Sequence, residues 1–227
     1  MDLFPNSLGT LLKIVFNIVG DYGWSIVIFT ILVKGALLPL TLSQTKSMKA
    51  MQDIQPKIKE IQEKYKDDQQ KMNEKVMGLY KEHKVNPVAG CLPLLVQMPI
   101  LIGLFSALRD PAKYVFGSQA AYNAIDTSFL WLPNLSNPDV IMVGGFGLPW
   151  ILPIIAALTT YISSAMMTPK GGKKDSTQTM MLYFFPLMIL WWGKSFPGGL
   201  TLYWVVSNIF QIIQQQFIIK PAKAKEE

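Results

Sequence analysis

One lysine, Lys34, stands inside the run 24–42, WSIVIFTILVKGALLPLTL, which carries no other charge. Read as one helix rising about 1.5 Å per residue, the run places it roughly 12–15 Å from either end. A lysine side chain reaches about half that distance, so snorkelling alone does not carry the ammonium into bulk water. At the centre of a membrane helix a lysine costs about 2.5–3.5 kcal/mol on insertion scales. Such a residue normally faces a wet cavity or an opposing charge, and none of the long apolar runs contains an Asp or Glu. The chemistry open to Lys34 is therefore electrostatic: a fixed cation at membrane depth attracts an anionic guest. A thinned bilayer, or a span shifted so that Lys34 nears the interface, is the structural alternative.

Further polar groups sit in apolar surroundings. Thr30 is one turn before Lys34 on the same face, either towards the cation or bonded back to its own helix. Gly35 suits close helix approach. Gln97 lies between Pro93 and Pro99 in a second apolar run. Its amide is either interhelical glue or part of a cavity wall, and the prolines free carbonyls and bend the helix. Near the C-terminus Trp204, Asn208, Gln211 and Gln215 follow one helix face, widened by Ser207 and Gln214. Gln214, Gln215 and Gln216 also fit the membrane interface. Thr159, Thr160 and Ser163 add hydroxyls, for which bonding within their own helix is the simpler reading. Together these residues outline a polar cavity with one cation and no anion.

Catalytic chemistry finds no support. No histidine lies in an apolar run to serve a serine nucleophile such as Ser163, Ser164 or Ser207. No GxxxxGK[ST] loop and no metal-ligand cluster occurs, so neither an enzyme nor a cofactor is expected. His83 stands in a charged stretch, and Cys91 reads as a small packing residue. The 12 methionines read mostly as core filler, although flexible thioethers also suit a surface that accepts varied apolar helices.

The elements that position these groups follow from composition. The 227 residues are 50% hydrophobic and only 16% charged, and the apolar residues are concentrated in runs. That excludes a cytosolic globular enzyme, a secreted disulfide scaffold and a disordered chain. Five membrane spans are expected, at about 24–42, 88–108, 148–167, 179–193 and 198–219, all helical because lipid offers the backbone no partners. The last two form a tight hairpin. Of the 21 basic residues, ten lie in 46–86, three in 170–175 and three in 220–227. Only Lys13, Arg109, Lys113 and Lys194 fall on the opposite side. The basic excess marks the cytoplasmic face, so the N-terminus is outside and the C-terminus inside, and the polar cavity opens to the cytoplasm. The net charge of +6 is thereby a topology signal before it is a nucleic-acid signal.

Between the spans, 1–21 reads as an amphipathic helix on the outer interface, with Phe4, Leu8, Leu11, Val15 and Val19 on one face. It lacks the features of a signal peptide. The outer stretch 111–147 reads as a loop with short interfacial helices. In 46–86, Ile54, Ile58, Ile61 and Tyr65 form one apolar stripe and Met72, Val76, Leu79 and Tyr80 another, broken at Asp67-Asp68. Two helices folded into a mobile cytoplasmic arm that touches a partner are expected; a solvated linker is the alternative. A short basic tail, 220–227, ends the chain.

The stretch 84–93, KVNPVAGCLP, followed by Gln97-Met98-Pro99, resembles the YidC family of membrane protein insertases. So do Thr30 to Lys34 leading into Pro39-Leu40-Thr41, the Gln55-Pro56-Lys57 entry to the arm, Gly198-Gly199-Leu200 to Asn208, and Gln214-Gln215-Gln216. These motifs run in family order from Tyr22 to Ile219. The chain departs from the usual pattern at two places. Lys34 stands where arginine is usual and lacks its bidentate fork, and Trp204 stands where many relatives carry tyrosine. The absence of a large outer domain makes it similar to the compact Gram-positive type.

The resemblance implies an all-α polytopic fold, five transmembrane helices around a cytoplasm-open hydrophilic groove, with a cytoplasmic helical hairpin and an outer amphipathic helix. It implies insertion and folding of nascent membrane proteins in the plasma membrane, without a cofactor and as a monomer. On this reading Lys34, Thr30, Gln97, Trp204, Asn208 and Gln211 line the groove and hold the substrate's polar tail. Ile31 and Tyr203 guide its helix into lipid, and Ile58, Ile61, Met72 and Val76 on the arm recruit it. The ribosome and the Sec translocon are further candidate partners, and DNA is not expected. A lipid scramblase or a transporter using the same groove is the rival reading, although no internal repeat favours a transporter.

Overall fold

The computed structural model describes residues 3–86, 92–168 and 179–223, with side chains described for 4–86, 97–168 and 179–217. The expected start of the second span at 88–91 with Cys91, the basic residues of 170–175, and the last four residues lie outside these ranges.

The chain is mostly helical. Helix α1 (Leu3–Val19) leads into α2 (Tyr22–Ala36), whose first turn is closed by the Asp21 carboxylate accepting the Trp24 N–H at 2.8 Å. Helix α2 stops in the middle of the long apolar run. At Leu37 the axis turns by 65° into α3 (Leu38–Lys64), so 24–42 is a broken rather than a straight helix. Pro39 explains the break, because it has no N–H to give the Gly35 carbonyl and its ring crowds that carbonyl. Lys34 therefore sits in the last turn of α2, beside the bend. Hydropathy averages over a window and passes smoothly across such a break.

Helix α3 continues past the apolar run into the charged segment. It pairs with α4 (Gln69–Glu82), which the Asp68 side chain caps at the Lys71 N–H. Ile54, Ile58, Leu79 and Val85 are buried together, with Ile61, Val76 and Tyr80 packed around them. This small cluster contains no residue of the main core. The arm is thus a self-packed hairpin carried on the bundle by α3.

The main core gathers α1, α2, α5 (Leu92–Arg109), α7 (Ile151–Met167), α8 (Phe185–Gly193) and α9 (Gly198–Lys223) around Leu12, Ile26, Phe29, Leu104, Leu108 and Tyr203. The small helix α6 (Gln119–Asn123) and two π-helical turns, Ala112–Phe116 and Met180–Phe184, complete the helical part among the described residues. Helix α1 turns inward a face that overlaps its apolar stripe in part: Leu8, Val15 and Val19 pack on the core together with Leu12. Leu12 and Val15 are buried while Phe4 and Leu11 are exposed. Gly9 decides this, since any Cβ there would strike the Tyr114 carbonyl. A close approach at a glycine is invisible to a hydrophobic count.

Between α6 and α7 the chain is not purely helical. Strand β1 (Val140–Val143) pairs antiparallel with β2 (Phe146–Pro149) through a turn in which Gly144 and Gly145 both have positive φ. The third apolar helix starts accordingly at Ile151, after the strand. No single helix among the described residues is long and apolar enough to cross a membrane by itself; α2 and α3 meet that test only as a bent pair.

Candidate functional site

Helix α2 delivers Lys34 to α5. The half-buried ammonium donates to Gln97 Oε1 at 3.3 Å, and Gln97 Nε2 donates to Tyr203 Oη on α9 at 2.8 Å. A polar relay of three residues thus ties together three helices that are far apart in sequence. The relay leaves the ammonium with N–H donors beyond the one bound to Gln97, since a lysine carries three. Ser207, one turn after Tyr203, is buried on the same face of α9. The face continues to Gln214, whose Oε1 accepts from the Thr41 hydroxyl at 3.2 Å just beyond the α2–α3 bend.

The neighbouring face of α9 does something different. Trp204 donates its indole N–H to Thr160 Oγ1 on α7 at 3.1 Å. One end of the Asn208 carboxamide meets Thr160 Oγ1 at 2.8 Å and Thr159 Oγ1 at 3.1 Å. Both threonine hydroxyls donate within their own helix, to the carbonyls of Ala156 and Ile155 respectively, so their oxygens also join α7 to α9. This is a closed interhelical knot. In lipid such bonds contribute about 0.6 kcal/mol each and at most about 1.7.

The expected groove set therefore divides. Lys34 and Gln97 come together. Trp204 and Asn208 join the α7 knot, and Gln211 is half-buried on the edge between the two faces. Thr30 is fully buried and its hydroxyl donates to the Ile26 carbonyl at 2.6 Å, the helix-internal alternative. Ile31 is exposed, as a lipid-facing guide would be, but Tyr203 is almost wholly buried and its hydroxyl belongs to the relay. On the arm, Ile58 is buried against Leu79, with Ile61 and Val76 around it, so these side chains pack the hairpin itself; Met72 is half-buried outside that cluster.

Tyr203 as a relay member was missed because aromatic residues in apolar helices are usually packing. Its position four residues before Ser207 on one helix face was the available signal. The α3–α9 seam was missed too. Gln44 and Thr45 on α3 are buried, and on α9 Gln215, already part of the polar stripe, is fully buried with neither amide atom partnered among the described residues.

What the arrangement offers an anionic or polar group is the Lys34 ammonium. Among the described residues no cluster of His, Cys, Asp and Glu could hold a metal.

The model of the 60Kd inner membrane protein family matches residues 14–226. The membrane protein insertase YidC 1 of Listeria monocytogenes serotype 4b is 42% identical over 213 residues, covering 92% of this chain and 67% of that protein. The membrane protein insertase YidC of Fusobacterium nucleatum subsp. nucleatum is 41% identical over 223 residues, 96% of both chains. A crystal structure of an active YidC insertase with its first transmembrane domain resolved is similar with a TM-score of 0.60 and 29% identity. That similarity covers 88% of this chain but only 42% of the solved one.

Proposed function

We propose a mechanism from one premise: this chain belongs to the 60Kd inner membrane protein family, shares the fold of the YidC insertases and is membrane-bound. On that premise it is a membrane protein insertase. The observation that carries the mechanism is the relay from Lys34 through Gln97 to Tyr203.

An uncharged insertion route would place a polar tail against hydrocarbon at a cost of several kcal/mol per unsatisfied group. Lys34, held at the α2–α3 bend, supplies a cation with spare donors, and the Tyr203–Ser207–Gln214 face of α9 supplies amides and hydroxyls below it. The tail of a nascent membrane protein exchanges water for these groups and then leaves them. Its hydrophobic helix moves into lipid past the exposed Ile31. Burial of that helix drives the step, assisted by the membrane potential acting on acidic residues. No nucleotide or metal is required, and the protein is not an enzyme.

The N-terminus lies outside the plasma membrane and the C-terminus in the cytoplasm, so the α3–α4 arm meets the arriving chain on the cytoplasmic side. The ribosome and the Sec translocon are partners compatible with that face. The polar knot at Trp204 and Asn208 keeps α7 against α9 and takes no part in contact with the tail.

Cysteine cross-linking tests the division. In a Cys91→Ala background, a cysteine in the acidic tail of an arrested single-span substrate is expected to cross-link to Ser207→Cys and not to Thr159→Cys. Equal cross-linking at both positions, or none at Ser207→Cys, would overturn it.

A further inference from the structure

The hairpin 140–149 has the sequence VIMVGGFGLP, without a charged or hydrogen-bonding side chain, and it is exposed on both faces. Phe146 is 77% exposed and Met142 66% exposed. A lone two-stranded hairpin is marginal in water, and an apolar one with free edges invites aggregation. Something apolar therefore has to cover it.

Its attachment is rigid. Asp139, at its base, is 3% exposed. The carboxylate accepts the Leu152 N–H at 2.6 Å in the first turn of α7 and the Trp131 indole N–H at 3.2 Å. The Asp139 carbonyl accepts from the Trp150 N–H at 3.1 Å. A carboxylate at a helix N-terminus is favoured by the dipole there. The hairpin is thus locked to the end of α7 in a fixed direction.

That direction keeps it beside lipid-facing helices. Strand β2 packs against both α7 and α8. On these helices Ile154, Leu158 and Leu187 are exposed, and at the end of α8 Lys194 Nζ lies 3.6 Å from the centre of the Trp191 ring. Paired tryptophan and lysine are characteristic of the membrane–water boundary. The apolar hairpin is continuous with that surface at that height.

We propose that the hairpin 140–149 is a membrane-interface anchor, with Met142 and Phe146 seated at the headgroup–acyl boundary of the leaflet that contains the start of α7. Its open strand edges restrict it to this depth, because unpaired backbone groups are not tolerated in the hydrocarbon core. Through Asp139 the anchor fixes the height of α7, and through Thr159 and Thr160 it fixes the height of α9. The proposal rests on α7 being a membrane helix and does not depend on which leaflet is the outer one.

The test uses the full chain in phosphatidylcholine/phosphatidylglycerol vesicles, with a fluorescent NBD probe on Met142→Cys in a Cys91→Ala background. A probe on Lys75→Cys, on the exposed side of α4, serves as the water reference. The expected result is blue-shifted emission at 142, at least threefold less iodide quenching than at 75, and stronger quenching by 5-doxyl than by 12-doxyl lipid. Phe146→Asp is expected to reduce the 5-doxyl quenching at least twofold. Water-like emission with iodide quenching equal to position 75 would overturn the proposal. Protection from iodide without lipid quenching, increasing with protein-to-lipid ratio, would overturn it in favour of contact between two copies. Insertion activity measured in the same vesicles separates failure of the anchor from failure of the insertase reading.

Discussion

Tyr203 and Trp204 are consecutive on α9 and belong to two polar clusters with different neighbours. The Tyr203 hydroxyl accepts from Gln97 at 2.8 Å and closes the relay from Lys34, whereas the Trp204 indole donates to Thr160 at 3.1 Å and closes the knot with α7. A helix turns about 100° per residue, so adjacent positions look at different partners. One helix thereby carries both a polar face and a structural seam, and a variant at either position reports on only one of them.

Gln97 separates a used charge from helix glue. Gln97→Leu removes the acceptor for Lys34 and a donor to Tyr203, and insertion of an acidic-tailed substrate is expected to fall several-fold. Gln97→Glu keeps the size but pairs the ammonium with a carboxylate, which competes with the incoming tail. It is expected to be the more harmful variant. If Gln97→Glu supports full insertion in a vesicle assay, the relay serves helix packing alone.

The knot makes the opposite prediction. Asn208→Ala deletes an interhelical contact and is expected to lower thermal stability in detergent by about 0.6–1.7 kcal/mol. Insertion per folded molecule, measured after size-exclusion selection, should stay within about twofold of the parent chain.

Independence of the arm is open to hydrogen exchange. Ile58 is 3% exposed in a cluster made only of arm residues. Ile58→Asp places a charge in that cluster, and the amides of α4 are expected to lose protection by at least tenfold. Those of α5 and α7 should be unchanged. Parallel loss in α7 would mean that the arm and the bundle fold as one unit.

Asp139 is the clasp between hairpin and helix. Both N–H donors meet the same carboxylate oxygen, so Asp139→Asn keeps an acceptor there but removes the charge beside the α7 N-terminus, and the expected cost is about 0.3–1 kcal/mol. Hydrogen exchange should rise first at Leu152 and its neighbours. Unchanged exchange there would show that the carboxylate does not hold the start of α7.

Much of this was legible in the sequence. Family and helical character follow from motifs in order and from uncharged runs. Lys34 stood out because a lone cation in 24–42 costs several kcal/mol unless it is solvated or partnered. What the sequence did not reveal lies where the signal is local geometry. Gly35 and Pro39 foreshadow the bend, but a hydropathy window averages across it. Gly144-Gly145 is a hairpin signal, yet the flanking residues are uniformly apolar rather than alternating, so 140–147 read as outer loop and 148–150 as the start of the third span. The polar stripe of α9 was visible, whereas its division between α5 and α7 depends on packing partners that no single helix encodes.

The most direct test of the central claim is a charge exchange between Lys34 and the substrate tail. Vesicles carrying the parent chain or Lys34→Glu would be offered a single-span substrate with an acidic tail or the same substrate with a lysine tail. The parent is expected to insert the acidic tail at least fivefold better than Lys34→Glu does, and Lys34→Glu to recover part of the activity on the basic tail. Equal insertion of the acidic tail by both proteins would contradict it, leaving Lys34 as a tolerated charge and hydrophobic burial as the sole driver.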